Sequence, residues 1–180
     1  MSPAAELAAL LHDDIDEVSG VTIGSYALQA YADFYGPDTP VAELSSVLTE
    51  PAQDSIDAMA ELCLFGQQRE LHALARPLVG DFLTHDLATT PPWDELLAEN
   101  TPGGAPIRVP ILVAQGLADR LVVPSTTDEF VERLCAAGEH VDHRSYERID
   151  HGLIAERALP AVLQWFRALL DGEDVTDTCR

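Results

Sequence analysis

The chain has 180 residues, 47% of them hydrophobic, which is enough for one ordinary globular domain with a substantial core. Its formal net charge is −21 and it contains no lysine, so a surface this acidic would repel nucleic acid and anionic lipid. No apolar stretch is long enough for a transmembrane segment, and the acidic start lacks the basic region of a signal peptide.

The first part of the chain, residues 1–102, has apolar residues at helical spacing and is predicted to be almost entirely helical. A first helix is expected to begin at Ser2 as N-cap, with Pro3 in the first turn where proline is tolerated. Further helices are predicted over Gly24–Gly36, Val41–Glu50, Pro51–Leu74 and Thr90–Asn100. A turn-rich linker, Glu99–Pro110, then separates this region from the rest of the chain.

The second part, residues 103–180, has a different pattern. Ile107–Gly116 is a near-continuous apolar run, which predicts a strand buried on both faces. It is followed by a predicted helix over Pro124–Gly138, a strand over His140–Glu147 and a closing helix interrupted around Pro160. This order predicts a right-handed parallel crossover of the α/β class. Because two strands alone bury little surface, the sequence suggests part of a larger α/β sheet.

Two polar residues follow the two predicted strands, at the end of the sheet where the working side chains of open α/β folds lie. Asp119 lies in the turn Gly116–Pro124, and His151 lies in the loop Glu147–Leu153. Since neighbouring parallel strands end at the same edge, we expect these side chains to lie close together. A carboxylate there would accept the imidazole Nδ1–H and leave Nε2 free to take a proton from a nucleophile. Asp119 and His151 are therefore the predicted catalytic pair.

Plainer interpretations of the same region stay open. An aspartate after a strand often only closes an Asx turn or caps a helix, and a loop histidine often has no chemical role. Asp150 competes with Asp119 as the carboxylate partner, although adjacent loop residues rarely face each other. His140 and His143 are interpreted as exposed residues of the second strand.

The stretch from Val109 to Leu153 resembles the C-terminal part of the secretory lipase family, the lipase A-like α/β-hydrolases. The family pattern is a strand that begins at proline, a Gly-x-x-Asp turn, a hydrophobic pair with proline, a helix ending in Cys-x-x-Gly, and a histidine after the next strand. The matching positions are Pro110, Gly116, Asp119, Val122, Val123, Pro124, Cys135, Gly138 and His151. The likeness is strong after Gly103 and weak before it.

The resemblance implies a partial α/β-hydrolase fold, in which residues 1–102 form a helical lid or cap and residues 103–180 form the C-terminal part of the core. It implies a carboxylic ester hydrolase of the triacylglycerol lipase type with a Ser-His-Asp mechanism. The family's serine lies on a Gly-x-Ser-x-Gly elbow upstream, and no serine of this chain has that setting. Ser25, in the segment IGSYA, is interpreted as a surface serine of a helix.

The implied partners are a lipid or small ester substrate and a missing N-terminal half of the hydrolase core. No cofactor and no metal ligand is expected, because the three cysteines lack metal spacing. The family is secreted, and one of its disulfides joins the helix after the acid turn to the C-terminus, which implies a Cys135–Cys179 bridge. The resemblance also pairs the lid cysteine, here Cys63, with an upstream cysteine; a plain buried Cys63 is the alternative.

Two other functions stay open. A serine peptidase or acyl-peptide hydrolase of the same fold has similar loops, and an acid–base pair does not distinguish amides from esters. The helical lid and the implied disulfide favour the lipase. A catalytically inactive, hydrolase-like binding module that has lost its nucleophile is the third possibility.

Overall fold

The computed structural model describes residues 2–36 and 43–179 and shows two compact units. One unit consists of residues 8–100. The other combines residues 1–7 with residues 101–180. The structure is 53% helical and has a two-stranded parallel sheet, a mixed composition compatible with part of an α/β fold. No described helix is long and apolar enough to cross a membrane.

The unit of residues 8–100 is built from helices. They are α1 (Leu7–Asp14), α2 (Val18–Tyr35), α3 (Glu50–Ala60), α4 (Gln68–Ala75) and α5 (Trp93–Asn100), joined in part by short 3₁₀ turns. Its buried apolar side chains include Val21, Leu28, Ile56, Met59, Leu71 and Trp93. The residue before α3 is Thr49, and its side chain accepts a hydrogen bond from the backbone N–H of Ala52. Threonine is a preferred residue at the N-cap, and this bond caps the helix.

Several helix boundaries differ from the sequence prediction in this region; for example, α2 begins at Val18 and not at Gly24. Pro51–Leu74 is not one helix, because α3 and α4 are separated by a turn in which Gly66 has a φ of +105°. A backbone in that region is reserved for glycine and cannot continue a right-handed helix. The predicted helix over Val41–Glu50 begins outside the described residues; within them, only a 3₁₀ turn over Leu44–Ser46 forms before α3.

The first predicted helix start is also wrong. Helix α1 begins at Leu7, and Ser2 does not cap it. Ser2 has a φ of +38°, and its N–H donates to the carbonyl of Ala114 in the second unit's sheet. Ala5 packs into the core of that sheet, so tertiary contacts take these residues away from the helix that local sequence favours.

The α/β unit follows the predicted order of strand, helix, strand and helix. Strand β1 (Ile111–Gly116) leads to α6 (Pro124–Ala136), then to β2 (Val141–Tyr146) and to α7 (Ile154–Leu170). The two strands are parallel, with Cα partners from Ile111↔Val141 to Gly116↔Tyr146.

One helix covers each face of this sheet. On one face, Val113 and Val141 pack with Phe130, Val131 and Leu134 of α6. On the other face, Ala114 packs with Ile154 and Ala158 of α7. Side chains of successive strand residues point to opposite faces, which is why the apolar run of β1 is buried on both sides.

Helix α7 is continuous through Pro160, so the predicted interruption is wrong. Proline removes the hydrogen bond to the carbonyl four residues earlier and its ring crowds that carbonyl, but Pro160 lies on the exposed side of the helix. The burial of Ile154, Ala158 and Trp165 along the opposite side keeps the helix in place.

The C-terminal segment lies along the free edge of β2. Thr178 donates its N–H to the carbonyl of Val141 at 2.7 Å, and its hydroxyl accepts from the N–H of His143 at 3.1 Å. The disulfide Cys135–Cys179 fixes this segment to the end of α6, which confirms the implied pairing. Cys63 is an exposed free thiol, so its interpretation as a buried residue is wrong.

Candidate active site

The loops that follow β1 and β2 touch each other directly. Backbone N–H groups of Leu117 and Ala118 donate to the carbonyls of Tyr146 and Ile149 at 2.9 and 3.0 Å. Gly116 permits this approach, since a Cβ at that position would lie 2.3 Å from the carbonyl oxygen of Ile149. The two loops are therefore held together by backbone contacts, and their side chains meet at the carboxyl ends of the strands.

Asp119 is a buried carboxylate with only 3% of the residue exposed. Its Oδ1 accepts hydrogen bonds from the backbone N–H groups of Leu121 and Val122, both at 2.9 Å. This is the geometry of the Asx-turn interpretation, and it fixes the carboxylate plane. Two N–H donors also compensate for the removal of the carboxylate from water.

The second oxygen of Asp119 lies 2.9 Å from Nδ1 of His151. Because an ionised carboxylate only accepts, the imidazole Nδ1–H is the donor in this bond. The His151 side chain is 42% exposed, and Nε2 has no hydrogen-bond partner within residues 2–36 and 43–179. The structure therefore brings the two predicted residues together; their catalytic role stays a prediction.

The other polar candidates take different positions. Asp150 accepts the N–H of Leu153 at 3.1 Å in the turn before α7, and no bond to His151 is found for it. His140 is half-buried, and its Nε2 donates to the carbonyl of Thr176 at 3.0 Å. His143 has a side chain only 14% exposed, with Nδ1 3.9 Å from a carboxylate oxygen of Asp128. The interpretation of both histidines as exposed residues is wrong, because the C-terminal segment and α6 cover this strand.

The loop that carries His151 contains a residue in a rarely adopted conformation. Arg148 has a φ of +57°, a left-handed backbone that residues with a Cβ adopt at an energetic cost. The neighbouring residues Tyr146 and Ile149 accept the backbone hydrogen bonds described above, which hold the loop on both sides of Arg148. Such strain is common where a loop aims a side chain.

No nucleophile is found beside His151 in the described residues. Ser25 lies on α2, where its hydroxyl donates to the carbonyl of Thr22, and it is fully buried rather than at the surface. No group of three histidine, cysteine or acidic side chains among the described residues is arranged to hold a metal ion.

Sequence reasoning did not single out Gln115, a fully buried amide at the end of β1. The sequence feature that could have identified it is a single amide side chain within an otherwise apolar strand.

Comparisons with protein-family models, with curated proteins and with solved structures found no match to this chain.

Proposed function

We propose that this chain is the acid–base half of a carboxylic ester hydrolase of the secretory lipase type. His151 would take the proton of a serine hydroxyl as the serine attacks the ester carbonyl, and would return a proton to the leaving alcohol. Asp119 would hold the imidazole in the Nδ1–H tautomer and stabilise the imidazolium that forms. The serine would come from an N-terminal half of the core that is not among these residues.

The observation that supports this proposal is the Asp119 Oδ2–His151 Nδ1 distance of 2.9 Å, with the carboxylate buried and no hydrogen-bond partner for the opposite ring nitrogen among the described residues. A histidine–aspartate hydrogen bond that only stabilised the fold would not require an exposed imidazole, and the His151 side chain is 42% exposed. The sequential order of aspartate and histidine, each after a strand of a parallel sheet, is that of the α/β-hydrolases. The helical unit corresponds to the lid or cap of such a fold in this proposal.

A lipase of this type acts outside the cell, where disulfides persist. The Cys135–Cys179 bridge supports that location. We therefore expect the complete protein to be secreted and to act on lipid or small ester substrates, with no cofactor.

The test is hydrolysis of p-nitrophenyl butyrate by the natural gene product that contains these 180 residues. We expect His151→Ala and Asp119→Asn each to lower kcat/KM by about 10³–10⁴-fold. Asparagine fails because the backbone donors of Leu121 and Val122 hold its carbonyl oxygen, which turns its NH₂ group toward the imidazole.

Asp150→Asn is the matched control, because an asparagine still accepts the N–H of Leu153; it should keep activity within about twofold. Full activity of Asp119→Asn would contradict the proposed role of that residue. Ester hydrolysis by the 180-residue chain alone would contradict the absence of a nucleophile. If the protein hydrolysed a peptide anilide in preference to the ester, the peptidase function would be favoured over the lipase function.

A further inference from the structure

Gln115 is a polar side chain in a place where the fold needs only an apolar one. It lies at the carboxyl end of β1 with no exposed surface, and Val113, two residues earlier on the same side of the strand, packs in the core against α6. A buried amide without partners costs about 1–3 kcal/mol, so its hydrogen bonds decide why it is tolerated.

The Gln115 amide joins three elements. Its Nε2 donates to the carbonyls of Gly116 and Val122 at 2.9 and 3.0 Å. Its Oε1 accepts from the hydroxyl of Thr127, a fully buried residue of α6, at 2.6 Å. Both functional groups of the amide are therefore used, and each partner is buried or part of the backbone.

These bonds enclose the loop that carries the candidate carboxylate. Gly116 and Val122 lie on either side of Asp119 in sequence, and both of their carbonyls are held by one amide nitrogen. Val122 also donates its N–H to Oδ1 of Asp119 at 2.9 Å. The contacts thus run without a gap from Thr127 through Gln115 and Val122 to Asp119, and then from Oδ2 of Asp119 to His151.

We propose that Gln115, held by Thr127, is a positioning residue of the acid–base pair. It fixes the Gly116–Val122 loop so that Oδ2 of Asp119 stays within bonding distance of Nδ1 of His151. This inference rests on the proposed function. A residue that only satisfied loop carbonyls would contribute to stability and would leave the state of the His151 ring unchanged.

The readout is the tautomer of neutral His151, measured from its ring ¹⁵N shifts by NMR at alkaline pH, which requires no catalytic activity. In the wild type, the Asp119 carboxylate selects the Nδ1–H form, whereas an imidazole in water prefers Nε2–H. We expect Thr127→Val to lower the Nδ1–H population at least twofold, because it leaves Oε1 of Gln115 without its donor. Thr127→Ser keeps a hydroxyl and should restore the wild-type shifts.

Thr126→Val is the matched control. Thr126 is the preceding residue of α6, it is also buried, and its hydroxyl donates to the carbonyl of Val123 at 2.8 Å and not to Gln115. This variant should lose comparable thermal stability and keep the wild-type tautomer. If Gln115→Met folds, it should lower the Nδ1–H population of His151 as Thr127→Val does. If it does not fold, the result for Thr127→Val alone tests the positioning role.

Two outcomes separate this inference from the proposed function. If Asp119→Asn shifts the tautomer and Thr127→Val does not, the positioning role of Gln115 is wrong and the pair stands. If Asp119→Asn leaves the tautomer unchanged, the pair does not form in solution and both proposals fail.

Discussion

Asp119 divides its two oxygens between a structural and a candidate chemical role. Oδ1 closes the turn through two backbone donors, and Oδ2 meets His151. The plain interpretation of this residue as a turn former and its interpretation as part of a catalytic pair are therefore both compatible with the same geometry. Asp150, the residue before His151, makes a different contact. Among the described residues its carboxylate accepts only the N–H of Leu153, in the turn before α7.

Tyr31 gives a prediction at the same scale, in the helical unit. Its hydroxyl is buried and has no hydrogen-bond partner in the described residues. Burial, with a smaller contribution from Tyr35, raises the pKa of Tyr31 above its usual value. The stability linked to this group is therefore fully present below about pH 10 and is lost as the pH rises toward the folded-state pKa. We expect Tyr31→Phe to be more stable by about 1 kcal/mol at pH 7 and to lose less stability above pH 10, measured by urea unfolding.

Tyr35→Phe is the control for this prediction. The Tyr35 oxygen accepts a hydrogen bond from Asn100 at 2.8 Å, so Tyr35→Phe should be less stable than the wild type at pH 7. Because Tyr31 is still present, this variant should still lose most of the stability that the wild type loses above pH 10. Destabilisation of Tyr31→Phe at pH 7 would show that the Tyr31 hydroxyl has a partner in solution.

At the scale of elements, α7 shows how burial overrides a local signal. Pro160 occupies an exposed position inside a continuous helix and leaves the carbonyl of Glu156 without its helical donor. Pro160→Ala should restore this bond and raise the free energy of unfolding by about 1–2 kcal/mol. Gln164→Ala, at another exposed position of α7, should change it by less than about 0.5 kcal/mol. Equal stability of Pro160→Ala and the wild type would mean that α7 already bends to satisfy that carbonyl.

The C-terminal segment depends on a covalent link. The disulfide Cys135–Cys179 closes a loop with a sequence separation of 44, for which loop-closure entropy alone corresponds to about 4 kcal/mol. We expect Cys179→Ser to lose about this much in the unfolding of the α/β unit, followed by the fluorescence of Trp165. Hydrogen exchange at the His143 N–H should also become faster, because Thr178 would no longer be held beside it.

Cys63→Ser serves as the control for the disulfide variant, since Cys63 is an exposed free thiol and its replacement should change stability by less than about 0.5 kcal/mol. A wild-type protein that unfolds identically with and without a reducing agent would contradict the stabilising role of the bridge.

For the whole molecule, the most informative surface is an apolar stripe on α7. Its side chains recur at helical spacing and are about half exposed or more: Leu159, Leu163, Phe166 and Leu170. Soluble proteins rarely expose contiguous apolar patches of this kind. We expect the double variant Leu163→Gln/Phe166→Gln to lower the fluorescence of bound ANS by at least half.

Phe65→Gln provides the comparison for the stripe, because Phe65 is 91% exposed in the other unit and does not belong to it. This variant should leave most of the ANS signal. An equal signal from the double variant and the wild type would mean that the stripe is covered in solution.

Much of the α/β unit could be predicted from the sequence, because its signals are local. The apolar run of β1, the helical spacing of α6 and the order of the elements depend on neighbouring residues, and they placed Asp119 and His151 at adjacent strand ends. The helical unit was predicted less well. The turn between α3 and α4 contains Gly66 in a left-handed backbone conformation, and the helical spacing of apolar residues in the surrounding run gave no sign of this turn.

The sequence by itself determined the mixed α/β composition and the location of the candidate pair, since periodicity and chain order follow from covalent neighbours. Only the tertiary structure decided which oxygen of Asp119 faces His151, that Gln115 donates to the carbonyls of Gly116 and Val122 on either side of Asp119, and that the first residues join the C-terminal unit. These features depend on contacts between residues distant in sequence, where packing and buried hydrogen bonds outweigh local preference.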